Sequence, residues 1–154
     1  MSVDPRPSVT VAAVIERGGQ FLLVEEEDDG QVLFNQPAGH LELNESLVEA
    51  CAREVMEESA WHFRPRELLG IYRWTKPASA GGAGVTYVRF AFCGDLGEHE
   101  SGRGLDKGIV RALWMSAGEI RASRARHRSP LVLRCVEDYL AGRRYPLDAL
   151  IEHG

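Results

Sequence analysis

Residues Leu47–Glu58 run without a Gly or Pro behind Ser46, which stands three residues before Glu49 in the pattern of a helical capping box. At about 100° per residue, Val48, Cys51, Ala52 and Val55 fall into one apolar stripe, with Leu47 at its edge. A helix this short is marginal alone in water, so it must lay its stripe against a second layer.

The flanking sequence supplies a sheet for it. Val9–Ile15 and Gln20–Glu25 are short aliphatic runs separated by Arg17-Gly18-Gly19, a pattern that predicts a β-hairpin. A polar turn over Glu26–Gly30 leads to Leu33-Phe34-Asn35, and Gln36-Pro37-Ala38-Gly39 then ends the strand and opens a loop. Beyond the helix, Leu68–Trp74 and Val85–Leu96 predict strands joined by Pro77–Gly84, a small-residue linker expected to be mobile. Ala112–Met115 predicts a short strand. Ser116 with Glu119 makes a second capping box, and Ser129-Pro130 opens a third helix through Ala141, closed by Gly142. Strands and helices intermix without a repeat, which predicts one layered α/β domain over residues 1–154. The tail after Tyr145 carries no pattern.

Composition narrows the partners. The chain has 154 residues, 44% hydrophobic and 27% charged, with a formal charge of −5. Its apolar runs are far shorter than the roughly 20 residues that cross a bilayer, and Met1–Ser8 has no signal-peptide hydrophobic region. A cytoplasmic protein with no membrane partner is expected. The acidic balance argues against a nucleic-acid polymer held by the overall field. Cys51, Cys93 and Cys135 are too few and too far apart for a disulfide framework or a CxxC metal site, so all three are expected in the core. Sixteen of the eighteen basic residues are Arg, which suits bidentate phosphate recognition and equally fits a codon bias.

The first helix also carries Glu54, Glu57 and Glu58 at steps of three and four, crowding three carboxylates onto one face about a third of a turn from the apolar stripe. Water screening makes such a face tolerable as plain solvated surface. The alternative is that three oxygen donors collect a hard divalent cation, whose charge turns repulsion into coordination.

The surrounding spacing bears on that choice. Gly39, five residues, Glu45, seven residues, then Arg53-Glu54-Val55-Met56-Glu57-Glu58 resembles the Nudix box, a loop-helix-loop motif. Six such matches arise by chance about once in ten thousand shuffled sequences of this composition. The resemblance covers Gly39–Trp61, and the order of strands around it is similar to the Nudix fold, a mixed β-sheet sandwiched between helices. It departs from the pattern at the end, where Ala60 and Trp61 replace the usual Gly and aliphatic residue; a left-handed conformation there costs an alanine roughly 1 kcal/mol.

The resemblance implies metal-dependent hydrolysis of phosphoanhydride bonds with Mg²⁺, or Mn²⁺ as a substitute. It implies Glu57 and Glu58 as principal metal ligands, Glu54 as a third ligand or the base that deprotonates water, and the Gly39 carbonyl facing the metal. Glu45 and Arg53 would orient the carboxylates. Asp106 is the one acid before Trp114 that stands where such enzymes often add another, with loop surface as its other reading. Two further readings on the same fold are a nucleotide-sensing module without hydrolysis and an isomerase.

Asn35–Glu42 before the box, Arg128–Val132 and Arg144–Leu147 resemble the NudJ-type phosphatases. This implies nucleoside di- or triphosphates, or the thiamine-pathway compounds thiamine pyrophosphate and hydroxymethylpyrimidine pyrophosphate, as small-molecule substrates. Tyr72 and Trp74 alternate on one strand and share a face, where they either stack on a heteroaromatic ring or join the core. Arg73 and Arg89 are candidates for phosphate oxygens, or else solvated strand residues. His40 is an acid–base candidate that a metal-dependent mechanism does not require. The sequence sets no oligomeric state.

Overall fold

A computed structural model describes residues 6–79 and 82–154. In chain order the elements are β1 (Ser8–Ala13), β2 (Glu16–Arg17), β3 (Gln20–Asp28), β4 (Gln31–Asn35), β5 (Ala38–His40), α1 (Leu47–Ser59), β6 (Trp61–Lys76), β7 (Val85–His99), β8 (Ile109–Ser116), α2 (Ala117–Ala122), α3 (Leu131–Leu140) and β9 (Tyr145–Pro146). They form two sheets. A mixed sheet runs β5-β1-β7-β6-β9, with β1 parallel to β7 and antiparallel to β5. An antiparallel sheet has β3 at its centre, paired with β2, β4 and β8.

The expected hairpin between Val9–Ile15 and Gln20–Glu25 forms only at its turn. Glu16 and Arg17 pair with Phe21 and Gln20, and Ile15 accepts from the Leu22 N–H at 2.9 Å. The preceding residues leave that partner, with the Val14 N–H donating to Phe92 O at 2.8 Å. The chain therefore passes from one sheet to the other at Val14 and Ile15. The reason is burial: Val11–Ala13 are buried on both faces, so β1 sits between two neighbours of the mixed sheet, where near-continuous apolar runs belong.

The two sheets lie between helices. On one side, Ala50, Cys51 and Val55 of α1 pack on Val11, Ala13, Phe63, Leu68 and Phe92. On the other, Ile120 of α2 and Cys135 and Val136 of α3 pack with Phe21, Leu23, Leu69 and Ala91. The three cysteines are free and buried, as expected. Both capping boxes are formed, Ser46 with Glu49 and Ser116 with Glu119.

One further expectation is corrected. β3 extends to Asp28, so Glu26 belongs to a strand and not to a turn. The linker Pro77–Gly84 joins a long β6–β7 hairpin closed by a bridge between Ser79 and Gly82, and its tip lies outside the described residues. The tail is structural: β9 pairs with Glu67 and Leu68, Leu147 and Leu150 pack against the α1 core, and Glu152 accepts the Leu47 N–H at 3.1 Å. That contact puts a carboxylate at the N-terminus of α1, where the exposed N–H groups favour negative charge.

Candidate functional site

The acidic face of α1 is set by the way the helix is seated. Ala50, Cys51, Glu54, Val55, Glu58 and Ser59 are its buried positions, whereas Ala52 is only partly buried, so the helix is rolled toward β5 relative to the stripe expected from sequence. Glu54 and Glu58 are each only 8% exposed. The solvated-face reading fails for these two.

Gly39 makes their position possible. A Cβ on Gly39 would overlap the Glu54 carboxyl group, so the short strand β5 passes over Glu54 only because it lacks a side chain there. One residue earlier, the Ala38 N–H donates to Glu58 Oε1 at 2.9 Å. Arg53 is the hub of the remaining acids. Its Nη1 donates to Glu54 at 2.8 Å and Glu57 at 2.7 Å, while Nε and Nη2 grip both oxygens of Glu45 at 2.9 and 2.7 Å. Nη2 also donates to His40 O at 3.0 Å, and Glu42 approaches Nη1 to 3.5 Å.

One guanidinium does not balance this many carboxylates. Burial pushes the Glu54 carboxyl up to about 6 against the pull of Arg53. Burial pushes Glu58 up to about 9; the Ala38 N–H opposes this, while repulsion from Glu54, Glu26 and Asp106 adds to it. Asp106 is also raised, first by desolvation and then by Glu57, whose carbonyl accepts the Asp106 N–H at 2.9 Å.

The donor set, carboxylates plus a glycine strand, is the all-oxygen chemistry of Mg²⁺ or Mn²⁺, and the surplus negative charge calls for a cation. Among the described residues, no three His, Cys, Asp or Glu side chains stand close enough to form a ready-made metal cluster. Arg53 holds Glu54 and Glu57 in this geometry. The fit to a metal thus rests on donor chemistry and charge.

The acids Glu54 and Glu58 open into a cavity of about 400 Å³ that also reaches Gly39, Trp74, Tyr87 and Arg89. Its far wall is the β6–β7 hairpin. Trp74 and Tyr87 occupy paired register positions, with ring centroids 5.9 Å apart and planes at 16°. Arg89, 6% exposed, continues the row occupied by Tyr87.

Tyr72 and Arg73 are not among the residues lining the cavity. Tyr72 shares the face of Trp74, but α3 covers that end; its hydroxyl donates to Asp138 at 2.7 Å and its ring packs in the second core. Of its two readings, the core one holds. Arg73 is exposed on the opposite face of β6, so the strand's alternation turns it away from the cavity. His40 lines the rim and its Nδ1 lies 3.0 Å from Ser8 Oγ.

Glu26, Asn35, Tyr87, Arg128 and Ser129 also line the cavity, and sequence reasoning does not single them out one by one. Tyr87 was accessible in principle, because it alternates with Arg89. Glu26 carries no signal because the polar run Glu26–Gly30 reads as a turn, whereas β3 continues to Asp28. Asn35, Arg128 and Ser129 lay in the short blocks that carry the subfamily resemblance, without a local chemical signal of their own.

A family model described as the NUDIX domain matches residues 4–135. Phosphatase NudJ of Escherichia coli strain K12 is 39% identical over 145 residues, which cover 94% of this chain and 91% of that protein. A solved NUDIX hydrolase from Nitrosomonas europaea is 53% identical, with a TM-score of 0.90 over 96% of this chain and 98% of that one. A MutT NUDIX hydrolase from Burkholderia pseudomallei, 17% identical, shares the fold at a TM-score of 0.70, over 86% of this chain and 98% of that one.

Proposed function

Since this chain belongs to the Nudix hydrolase family and is a pyrophosphohydrolase of that family, we propose that its activity depends on Mg²⁺, with Mn²⁺ as a substitute. Its proposed substrates are nucleoside di- and triphosphates or thiamine-pathway pyrophosphates. The observation that carries this reading is the pair Glu54 and Glu58, nearly buried against β5 with more negative charge around them than Arg53 balances.

Glu54, Glu57, Glu58 and the Gly39 carbonyl would hold the cation. When bound, such an ion neutralises the pyrophosphate and acidifies water at the site. The protein's own groups supply the rest. Arg53 hydrogen-bonds Glu54, Glu57 and Glu45 and so sets where their carboxylates stand before a cation draws them together. Glu54 has one oxygen engaged by Arg53, which leaves the other to serve as a third ligand or to accept a proton from the attacking water. Across the cavity, Arg89 is placed to meet phosphoryl oxygens, and Trp74 with Tyr87 offers an aromatic surface for a heterocycle. Stacking on such a surface contributes about 1–3 kcal/mol with little preference among bases, so substrate breadth follows.

The test is phosphate or pyrophosphate release from a panel of nucleoside di- and triphosphates, thiamine pyrophosphate, hydroxymethylpyrimidine pyrophosphate and a simple monophosphate ester. The expected result is release from the anhydrides with Mg²⁺, none in excess EDTA, and almost none from the monoester. Full activity in EDTA, or faster release from the monoester than from every anhydride, would overturn the proposal.

A further inference from the structure

Arg89 differs from the other arginine of the cavity in what it touches. Arg128 is ion-paired, 2.9 Å from Asp28 and 3.6 Å from Glu26. Arg89 is more deeply buried, yet among the described residues no carboxylate lies within ion-pair distance of it. Its donors reach three neutral acceptors: Gln36 Oε1 at 2.8 Å, Asn35 Oδ1 at 2.9 Å and Cys135 Sγ at 3.7 Å. A buried cation is ordinarily matched by an anion, because desolvating an unpaired charge is expensive.

The two amides are themselves locked. Gln36, 1% exposed, donates through Nε2 to Val132 O of α3 at 2.8 Å, and Asn35 Nδ2 lies 3.4 Å from Glu26 Oε1. These contacts fix the orientation of both groups, since a guanidinium only donates and the Val132 carbonyl only accepts. A carboxylate at either position would have nearly the same shape and would neutralise Arg89; the chain has amides at both.

The sheet places this cation opposite the acids. His40, Thr10 and Arg89 stand in register on β5, β1 and β7, so Arg89 lies two strand spacings, about 10 Å, from the strand that covers Glu54. We infer that Asn35 and Gln36 are positioning residues that hold Arg89 in the cavity wall with no carboxylate in direct contact, the nearby Glu26 standing across Asn35, so that Arg89 receives an anionic phosphoryl group of the substrate. The inference rests on the pyrophosphohydrolase reading of this cavity and deepens it by assigning the anion-selecting end.

The test uses methylenediphosphonate, a non-hydrolysable diphosphate, titrated calorimetrically with Mg²⁺ into the wild-type protein, Gln36→Glu, Asn35→Asp and Gln36→Met. The inference predicts that both carboxylate variants, compared at a temperature where each is folded, bind at least ten-fold more weakly than wild type. It predicts that Gln36→Met, which loosens Arg89 without cancelling its charge, falls between them and wild type. Unchanged affinity in Gln36→Glu would overturn it, as would no binding to wild type. Equal weakening by Glu and Met together with a lowered Tm would assign Gln36 to packing alone and also overturn it. Hydrolysis of the substrate panel is scored separately. Normal hydrolysis with unchanged binding in Gln36→Glu removes only this inference, and absent hydrolysis with a ten-fold loss of binding removes only the hydrolase reading.

Discussion

Arg53 and Arg89 belong to the same site and have opposite surroundings. Arg53 touches four carboxylates, those of Glu42, Glu45, Glu54 and Glu57, and its side chain remains 23% exposed. Arg89 is 6% exposed and touches neutral amides and a thiol. The charge of Arg53 is fully answered within the protein, so its contribution is to arrange acids. Arg89 has no carboxylate in direct contact, only Glu26 across Asn35, so its guanidinium is left to act on a ligand. In a pocket for a charged substrate, the role of an arginine follows from what already balances it.

The sharpest way to break this contrast is to remove a carboxylate that Arg53 does not need for folding. Glu57→Gln or Glu58→Gln is expected to lower turnover by about 10²–10³-fold or more. Folding should survive, because the change also relieves like-charge repulsion on α1. Turnover within a few-fold of wild type at saturating Mg²⁺ would take these residues out of the site. Arg53→Met comes next. It leaves Glu45, Glu54 and Glu57 facing one another, and a loss of roughly 3 kcal/mol of stability is expected in the metal-free protein, at the low end for a broken buried pair because Arg53 is partly exposed. Urea unfolding in EDTA measures it, and stability equal to wild type would mean that the acids do not need their arginine.

Metal gives a comparable effect of the opposite sign. An ion that binds only the folded protein stabilises it by about 2.7 kcal/mol at a hundredfold excess over its Kd. Thermal unfolding should therefore shift upward with Mg²⁺ in wild type and much less in Glu57→Gln. An identical shift in both proteins would place the cation elsewhere.

The smallest effect is expected at Ala60. It caps α1 in the left-handed region with φ 62°, as the missing Gly of the box implied, and it is buried. Ala60→Gly relieves about 1 kcal/mol of backbone strain and loses a buried methyl worth about 0.8 kcal/mol, so the net change should be under 1 kcal/mol. A loss of several kcal/mol in urea unfolding would show that the methyl has a packing role the strain estimate ignores.

These cases also show which parts of the molecule were legible beforehand. Local devices were readable: both capping boxes, the Gly142 stop after α3 and the carboxylate spacing of α1 depend on residues a few positions apart. Long-range choices were not. Whether Val9–Ala13 pairs with β3 or β7 is decided by which sheet buries both of its faces. The burial of Glu54 and Glu58 depends on the side-chain-free crossing of Gly39. Tyr72 and Trp74 look alike on one strand, but Asp138, far away on α3, takes the first and leaves the second in the cavity. Arg89 reads like any strand arginine because its amide acceptors are 53 and 54 residues away.

The contrast between the two arginines is tested most directly by steady-state kinetics of Arg53→Met and Arg89→Met side by side, on whichever pyrophosphate substrate wild type hydrolyses fastest with Mg²⁺. The account predicts that Arg53→Met lowers kcat at least ten-fold with KM within a few-fold of wild type, and that Arg89→Met raises KM at least ten-fold with the smaller effect on kcat. Loss of kcat and KM in the same proportions in both variants would contradict it.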